Sequence, residues 1–163
     1  MATCINIEPM CFDGLEIDLS ATIVDVHNRV VIIKGFNPGS SEDQYEEAVG
    51  RVASVVSSIF CTIFGESPKQ RYEDVFDQLS TFAAYLSRDH IFPDANKRTT
   101  VVVVMAFLRV IGLTLDVDDS NNPSDNMLYK WIQDVVSSEK TVEELAAILR
   151  ENAIRLSEQP GTS

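Results

Sequence analysis

Basic side chains are scarce in this 163-residue sequence. Its 13 lysines and arginines face 25 aspartates and glutamates, which gives a formal net charge of −12 at pH 7. General binding to DNA or to an anionic membrane needs a broad cationic surface. The composition therefore argues against both of these function classes.

Cysteine is scarce as well. The three cysteines are an odd number, and none lies in a Cys-x-x-Cys pair or near a histidine at zinc-finger spacing. We therefore expect no disulfide framework. Cys61 is interpreted as a small apolar side chain rather than a nucleophile.

Long hydrophobic runs are absent too. The most apolar stretch, residues 101–110, contains Arg109 and is about half the length that spans a bilayer, so it is expected to be a buried core helix. The N-terminus has no basic region followed by an apolar stretch, as a secretory signal would have. We expect a cytoplasmic protein without a transmembrane segment.

The pattern that is present predicts one compact all-α domain. The hydrophobic fraction is 45%, and a chain of this size buries enough surface to fold without a disulfide or metal. Apolar residues at spacings of three and four predict amphipathic helices, most clearly over residues 72–89. The apolar stripe there is Val75, Phe76, Leu79, Phe82, Ala83 and Leu86.

Caps and stop signals predict the remaining helices. Ser41 can cap the amide near Gln44, and Thr141 forms a capping box with Glu144. We expect helices at 20–33, from Ser41 to about Ser57, from after Ala95 to Gly112, around 127–135, and from Thr141 onwards.

The side chains with chemical potential are concentrated in one turn, HIFPDANKRT at residues 90–99. Pro93 disfavours helix at Phe92, and Asp94 or Asn96 can cap the helix that follows. The first turn of that helix offers unpaired amides and partial positive charge, which is the usual setting of a bound phosphate.

The residue types in this turn suit phosphoryl transfer. Lys97 and Arg98 place two cations at the anion site, and Asp94 can hold a divalent metal. His90, one of two histidines, can accept a proton from an attacking hydroxyl. Together they provide the groups that phosphoryl transfer needs: a base, a metal ligand, cations that bind phosphate and the helix amides. A purely structural turn with a capping acid, a surface Lys-Arg pair and a helix-end histidine is the alternative.

The order of these residues resembles the signature of the Fic/Doc family, H-x-F-x-[DE]-[AG]-N-[GK]-R. All seven specified positions match, as His90, Phe92, Asp94, Ala95, Asn96, Lys97 and Arg98. The similarity to the smaller Doc-type members covers about residues 19–156. It implies a helical bundle over that range, with an N-terminal extension at 1–18 and a flexible tail at 157–163.

The resemblance implies a role for each polar motif residue. His90 would be the general base that deprotonates a target hydroxyl. Asp94 would bind Mg²⁺ on the nucleotide phosphates. Asn96, Lys97 and Arg98 would hold those phosphates together with the helix amides.

Neighbouring residues are expected to support the motif or to have no part in it. By resemblance, Phe92 packs inward to fix the loop, and Ala95 is a structural position. Arg88 could also reach the site, although a solvated arginine at a helix end is the alternative. His27 is expected to be a partly exposed helix residue rather than a metal ligand, because the only nearby Cys, Asp or His is Asp25, which lies two positions away and on another face.

Fic/Doc proteins usually carry a flap before the motif helix that receives the target polypeptide as an added strand. The candidate is residues 59–71, where a β-branched and aromatic start precedes Gly65 and Pro68. This pattern favours a short extended segment and turn, as in a β-hairpin. A continuation of the preceding helix is the alternative.

Two positions favour a Doc-type reaction. Adenylylating Fic proteins usually have glycine after the motif asparagine and a second arginine, where this chain has Lys97 and Val101. Doc-type proteins with Asn-Lys-Arg present the γ-phosphate of ATP to the target hydroxyl. The resemblance thus implies an ATP- and Mg²⁺-dependent kinase for threonine or serine, with elongation factor Tu as expected target. Adenylyl transfer and a non-catalytic nucleotide-sensing or partner-binding module are the alternatives.

The sequence lacks the autoinhibitory pattern [ST]-x-x-x-E-[GN] of some Fic proteins. Glu151 and Asn152 match its end, but Ala147 replaces the serine or threonine. We therefore expect control in trans, as in Doc-type toxins paired with an antitoxin whose C-terminal segment folds onto the toxin.

Overall fold

The computed structural model describes residues 4–33, 41–88 and 91–158. Over these ranges the chain is mainly helical, which confirms the predicted all-α class. The helices are α1 (Glu16–Ile33), α2 (Glu42–Phe60), α3 (Pro68–Arg71), α4 (Val75–Arg88), α5 (Asn96–Val110), α6 (Met127–Val136) and α7 (Val142–Asn152). A small antiparallel pair, β1 (Leu113–Leu115) with β2 (Ala153–Arg155), is followed by a 3₁₀ turn at Leu156–Glu158.

The starts of α2 and α7 were predicted correctly from local capping signals, whereas the start of α1 was not. The Ser41 hydroxyl accepts a hydrogen bond from the Gln44 amide at 3.3 Å, and the Thr141 hydroxyl accepts one from the Glu144 amide at 3.1 Å. Both predicted caps are therefore confirmed. α1 begins four residues before the predicted start at Ser20, because Gly14, at φ +83°, turns the chain directly into the helix.

α4 forms the centre of the core. Its six predicted apolar positions are all buried, and α4 contacts α2, α5, α6 and α7. Phe82 of α4 packs edge-on against Phe60 and Phe107, with ring centroids 5.0 and 5.6 Å away. The helix that leads into the motif is therefore held on several sides.

Residues 4–15 lie across the core as a non-helical segment. The Phe12 amide donates to the Phe60 carbonyl at 2.7 Å, and the Val75 amide donates to the Ile7 carbonyl at 2.9 Å. The buried Gln78 amide group bonds both the N–H and the carbonyl of Met10, each at 2.7 Å. Such pairing of a buried amide with backbone fixes this segment against α2 and α4.

The candidate flap combines both alternatives expected for residues 59–71. α2 continues to Phe60, and a tight turn follows in which Ile63 and Glu66 exchange two backbone hydrogen bonds of 2.9 Å. Phe64 and Gly65 form its tip with φ of 49° and 80°, as in the two-residue turns that close hairpins. The Phe64 side chain is fully exposed.

No helix in the described part of the chain is long and apolar enough to cross a membrane.

Candidate active site

The motif loop joins α4 to α5 and is held by side chains from two helices. At the start of α5, the Asn96 side chain accepts a hydrogen bond from the Phe92 amide at 3.0 Å and donates one to the Phe92 carbonyl at 2.8 Å. From α2, the Arg51 Nε donates to the Ile91 carbonyl at 3.0 Å. His90, the predicted base, lies outside the described residues, so its role stays a prediction.

The N-terminus of α5 lacks the side-chain cap expected from Asp94 or Asn96. That expectation was wrong, because the N-cap position is occupied by Ala95 in the left-handed conformation, with φ 63°. Asp94 Oδ1 instead accepts from the Ala95 amide at 2.6 Å, and both polar atoms of Asn96 are engaged by Phe92. Within the described ranges no side chain caps α5, so its first amides can bind an anion.

The two predicted phosphate-binding cations flank this helix start. Lys97 Nζ lies 5.8 Å from the centre of the Tyr129 ring on α6, a distance at which a cation and an aromatic face attract. Arg98 lines a pocket of about 410 Å³ that also includes Val101 and Tyr129. Asn96 can offer a phosphate its backbone amide, since its side chain holds the loop.

Asp94 fits the predicted role of metal ligand. Its side chain is exposed, and its Oδ1 is engaged by the Ala95 amide. Mg²⁺ in nucleotide sites is usually held by one or two carboxylates together with the phosphates. A single exposed carboxylate beside a helix N-terminus with two cations therefore suits Mg²⁺ that arrives with a nucleotide.

Phe92 is buried and packs on His27, a residue that was expected to have no part in the site. Its ring is stacked on His27, with 3.6 Å between ring centroids and 5° between ring planes. His27 Nδ1 lies 3.0 Å from Thr99 Oγ1 on α5. The expectation that His27 is partly exposed was wrong: the residue is only 6% exposed, because this face of α1 packs on the motif loop and α5.

The protonation state of His27 follows from this environment. Burial lowers the pKa of His27 from 6.5 to about 4, and the negative charge of Asp94 acts in the opposite direction. His27 is therefore neutral at pH 7. The sequence did carry a signal for its position, since His27 lies four residues after buried Ile23 and three after buried Val24.

Arg88 binds the backbone of α6. Its guanidinium donates to the carbonyl of Val135 near the C-terminal end of α6. A part for Arg88 in phosphate binding stays a prediction. Cys61 is buried, and this burial, together with the hydrogen bond that its thiol donates to the Glu16 carboxylate, raises the pKa of the thiol to about 12, so the thiol is not a nucleophile at neutral pH.

Comparisons with known proteins show what this chain is similar to. The model of the Fic/DOC family matches residues 17–108, a range that includes the whole motif. The protein kinase doc of Escherichia phage P1 is 33% identical over 95 residues, which are 56% of this chain and 64% of that protein. The chain thus covers slightly less than two thirds of this relative. Because the family match extends over more than half of its length, the chain belongs to the Fic/DOC family.

Proposed function

We propose that this protein is a Doc-like protein kinase that transfers the γ-phosphate of ATP to a threonine or serine hydroxyl of a target protein. The observation that carries the proposal is the start of α5, which no side chain of the described residues caps, so that Lys97 and Arg98 adjoin backbone amides that can bind an anion. Such a site suits a chain of phosphates. Membership of the Fic/DOC family and the likeness to a phage protein kinase support a Fic-type transferase.

The motif residues divide the proposed reaction between them. His90 takes the proton of the target hydroxyl as its oxygen bonds to the γ-phosphorus, while the bond from that phosphorus to the β–γ bridging oxygen breaks and ADP leaves. The α5 amides, Lys97 and Arg98 hold the phosphates in line. Asp94 would hold Mg²⁺, which neutralises phosphate charge when bound.

The residue at position 101 supports γ-phosphoryl over adenylyl transfer. Adenylylating Fic proteins usually place a second arginine here, which would clamp a phosphate through two parallel hydrogen bonds. This chain has a buried Val101 in the wall of the pocket beside Arg98. The nucleotide phosphates must then rely on Lys97 and Arg98, as in the Doc-type arrangement. Adenylyl transfer is the alternative reaction.

The proposed physiological role is that of a toxin. By resemblance to Doc-type proteins, the target is elongation factor Tu, and its phosphorylation blocks translation in the cytoplasm. An antitoxin in trans would restrain the enzyme, because Ala147 breaks the autoinhibitory pattern within this chain.

Substitution of His90 tests the proposed mechanism. His90→Ala should leave folding and ATP binding intact and slow transfer of labelled phosphate to elongation factor Tu by about two to four orders of magnitude. Lys140→Ala is a suitable control, because Lys140 pairs with Asp134 and belongs neither to the motif nor to the candidate flap. Unchanged transfer by His90→Ala would remove the mechanism, and a wild-type protein that binds ATP without any transfer would favour the non-catalytic alternative.

A further inference from the structure

His27 is a buried polar residue to which the proposed reaction assigns no part. It belongs to α1, yet its two contacts lie on either side of the start of α5: the Phe92 ring in the motif loop and the Thr99 hydroxyl one turn into the helix. Phe92 and Thr99 are separated from His27 by more than 60 positions in the sequence. The contact therefore joins α1 to both sides of the phosphate site.

The geometry of the stack restricts the loop more than burial alone would. The rings of His27 and Phe92 are almost parallel, 5° apart, at a centroid distance of 3.6 Å. The face of the imidazole therefore restricts the orientation of the Phe92 ring. Asn96 already binds the backbone of Phe92 through two hydrogen bonds. Side chain and backbone of the same residue are thus fixed by different helices.

The hydrogen bond to Thr99 fixes the His27 ring in turn. Thr99 is completely buried. Among the residues that the structure describes, its hydroxyl forms a hydrogen bond with His27. A buried hydroxyl left without a partner is unfavourable, because it has lost its hydrogen bonds to water. The bond therefore favours one orientation of the imidazole, and that orientation presents the ring face to Phe92.

We propose that His27 is a positioning residue, which locks Phe92 to Thr99 and thereby fixes the motif loop relative to the phosphate site at the start of α5. Its effect on catalysis rests on the proposed function. Its effect on the loop does not. Because misplacement of reacting groups by about 1 Å can cost a hundredfold in rate, a loosened Phe92 should lower turnover without removing the phosphate-binding groups.

Amide hydrogen exchange tests the lock without any need for turnover. In His27→Ala, the Phe92 amide should exchange at least about tenfold faster than in the wild type, because opening of the loop frees its bond to Asn96. Val24→Ala is the matched control, since Val24 lies one turn earlier on α1 and is similarly buried at 2% exposed. It should not accelerate exchange at Phe92 selectively. Wild-type exchange at Phe92 in folded His27→Ala would overturn the proposal.

Kinetics of two His27 variants separate positioning from general stability. Loss of the ring in His27→Ala should lower kcat about tenfold or more and change the KM for ATP by less than about threefold. His27→Phe keeps a stacking ring and should recover much of kcat, even though it loses the bond to Thr99. Equal kcat in His27→Ala and in Val24→Ala at matched stability, or no recovery in His27→Phe, would contradict positioning through the stack.

A double-mutant cycle with Phe92 identifies the route of the effect. If His27 acts through the Phe92 ring, His27→Ala should have little further effect on kcat once Phe92→Leu has removed that ring. Additive losses would show that His27 acts by another route. If the wild-type protein transferred no phosphate at all, the proposed function would fail while the exchange experiment would still decide whether the lock exists.

Discussion

Acidification should destabilise this protein through His27. Burial lowers the pKa of His27 from 6.5 to about 4, so between these values the unfolded chain binds a proton that the native protein excludes. The free energy of unfolding must then fall as the pH falls. The stability that neutral His27 contributes is fully present above pH 6.5 and is lost progressively down to about pH 4. With these two pKa values, the loss from about pH 7.5 to about pH 5 is about 2 kcal/mol.

Urea denaturation of the wild type and of His27→Phe across this pH range measures the effect. The variant loses the bond to Thr99 at every pH, which changes its stability by a pH-independent amount, and it has no imidazole to protonate at position 27. All other titratable groups are the same in the two proteins, so their contributions cancel in the comparison. The wild type should lose about 2 kcal/mol more than His27→Phe between about pH 7.5 and about pH 5. Parallel curves for the two proteins would refute the buried, neutral His27.

Two further predictions concern a metal ligand and a structural ion pair. Asp94→Ala should raise the Mg²⁺ concentration needed for half-maximal transfer, because the carboxylate no longer holds the ion; an unchanged Mg²⁺ titration would exclude Asp94 as ligand. Asp74→Ala should cost about 2–4 kcal/mol in urea denaturation, because the partly buried Arg150 guanidinium, which binds Asp74 at 2.6 Å, would keep only the exposed Glu73 carboxylate at 3.7 Å. Lys69→Ala, which breaks a surface pair with Glu8 whose side chains are 66% and 71% exposed, should cost less than about 1 kcal/mol; equal losses in the two variants would contradict this assignment.

The parts of the fold that were predicted correctly depend on local signals. The stripe of α4 repeats every three or four residues, so its buried face could be identified from spacing alone. The caps at Ser41 and Thr141 involve partners three residues away. The start of α1 was misplaced because the turn at Gly14, rather than a polar cap, determines it.

The features that were missed depend on contacts between distant parts of the chain. Asp94 and Asn96 have good capping side chains, but the loop engages both, and Ala95 takes the cap position. His27 was assigned to a partly exposed face although it follows the apolar Ile23 and Val24 at helical spacing, and local sequence does not show that its partner is Phe92. Arg51 carries no sequence signal for its bond to the Ile91 carbonyl, 40 residues away. The motif could be identified from the order of its residues in the sequence. The contacts that hold these residues in place come from distant parts of the chain and could not be predicted.

The origin of the transferred group tests the central proposal most directly. Purified protein is incubated with elongation factor Tu and Mg²⁺ in parallel reactions, one with ATP labelled at the γ-phosphate and one with ATP labelled at the α-phosphate, each repeated with His90→Ala. Phosphoryl transfer predicts that only the γ-label reaches a threonine or serine of the target, and that His90→Ala abolishes it. Label arriving only from the α-phosphate would show AMP transfer and would contradict the kinase assignment.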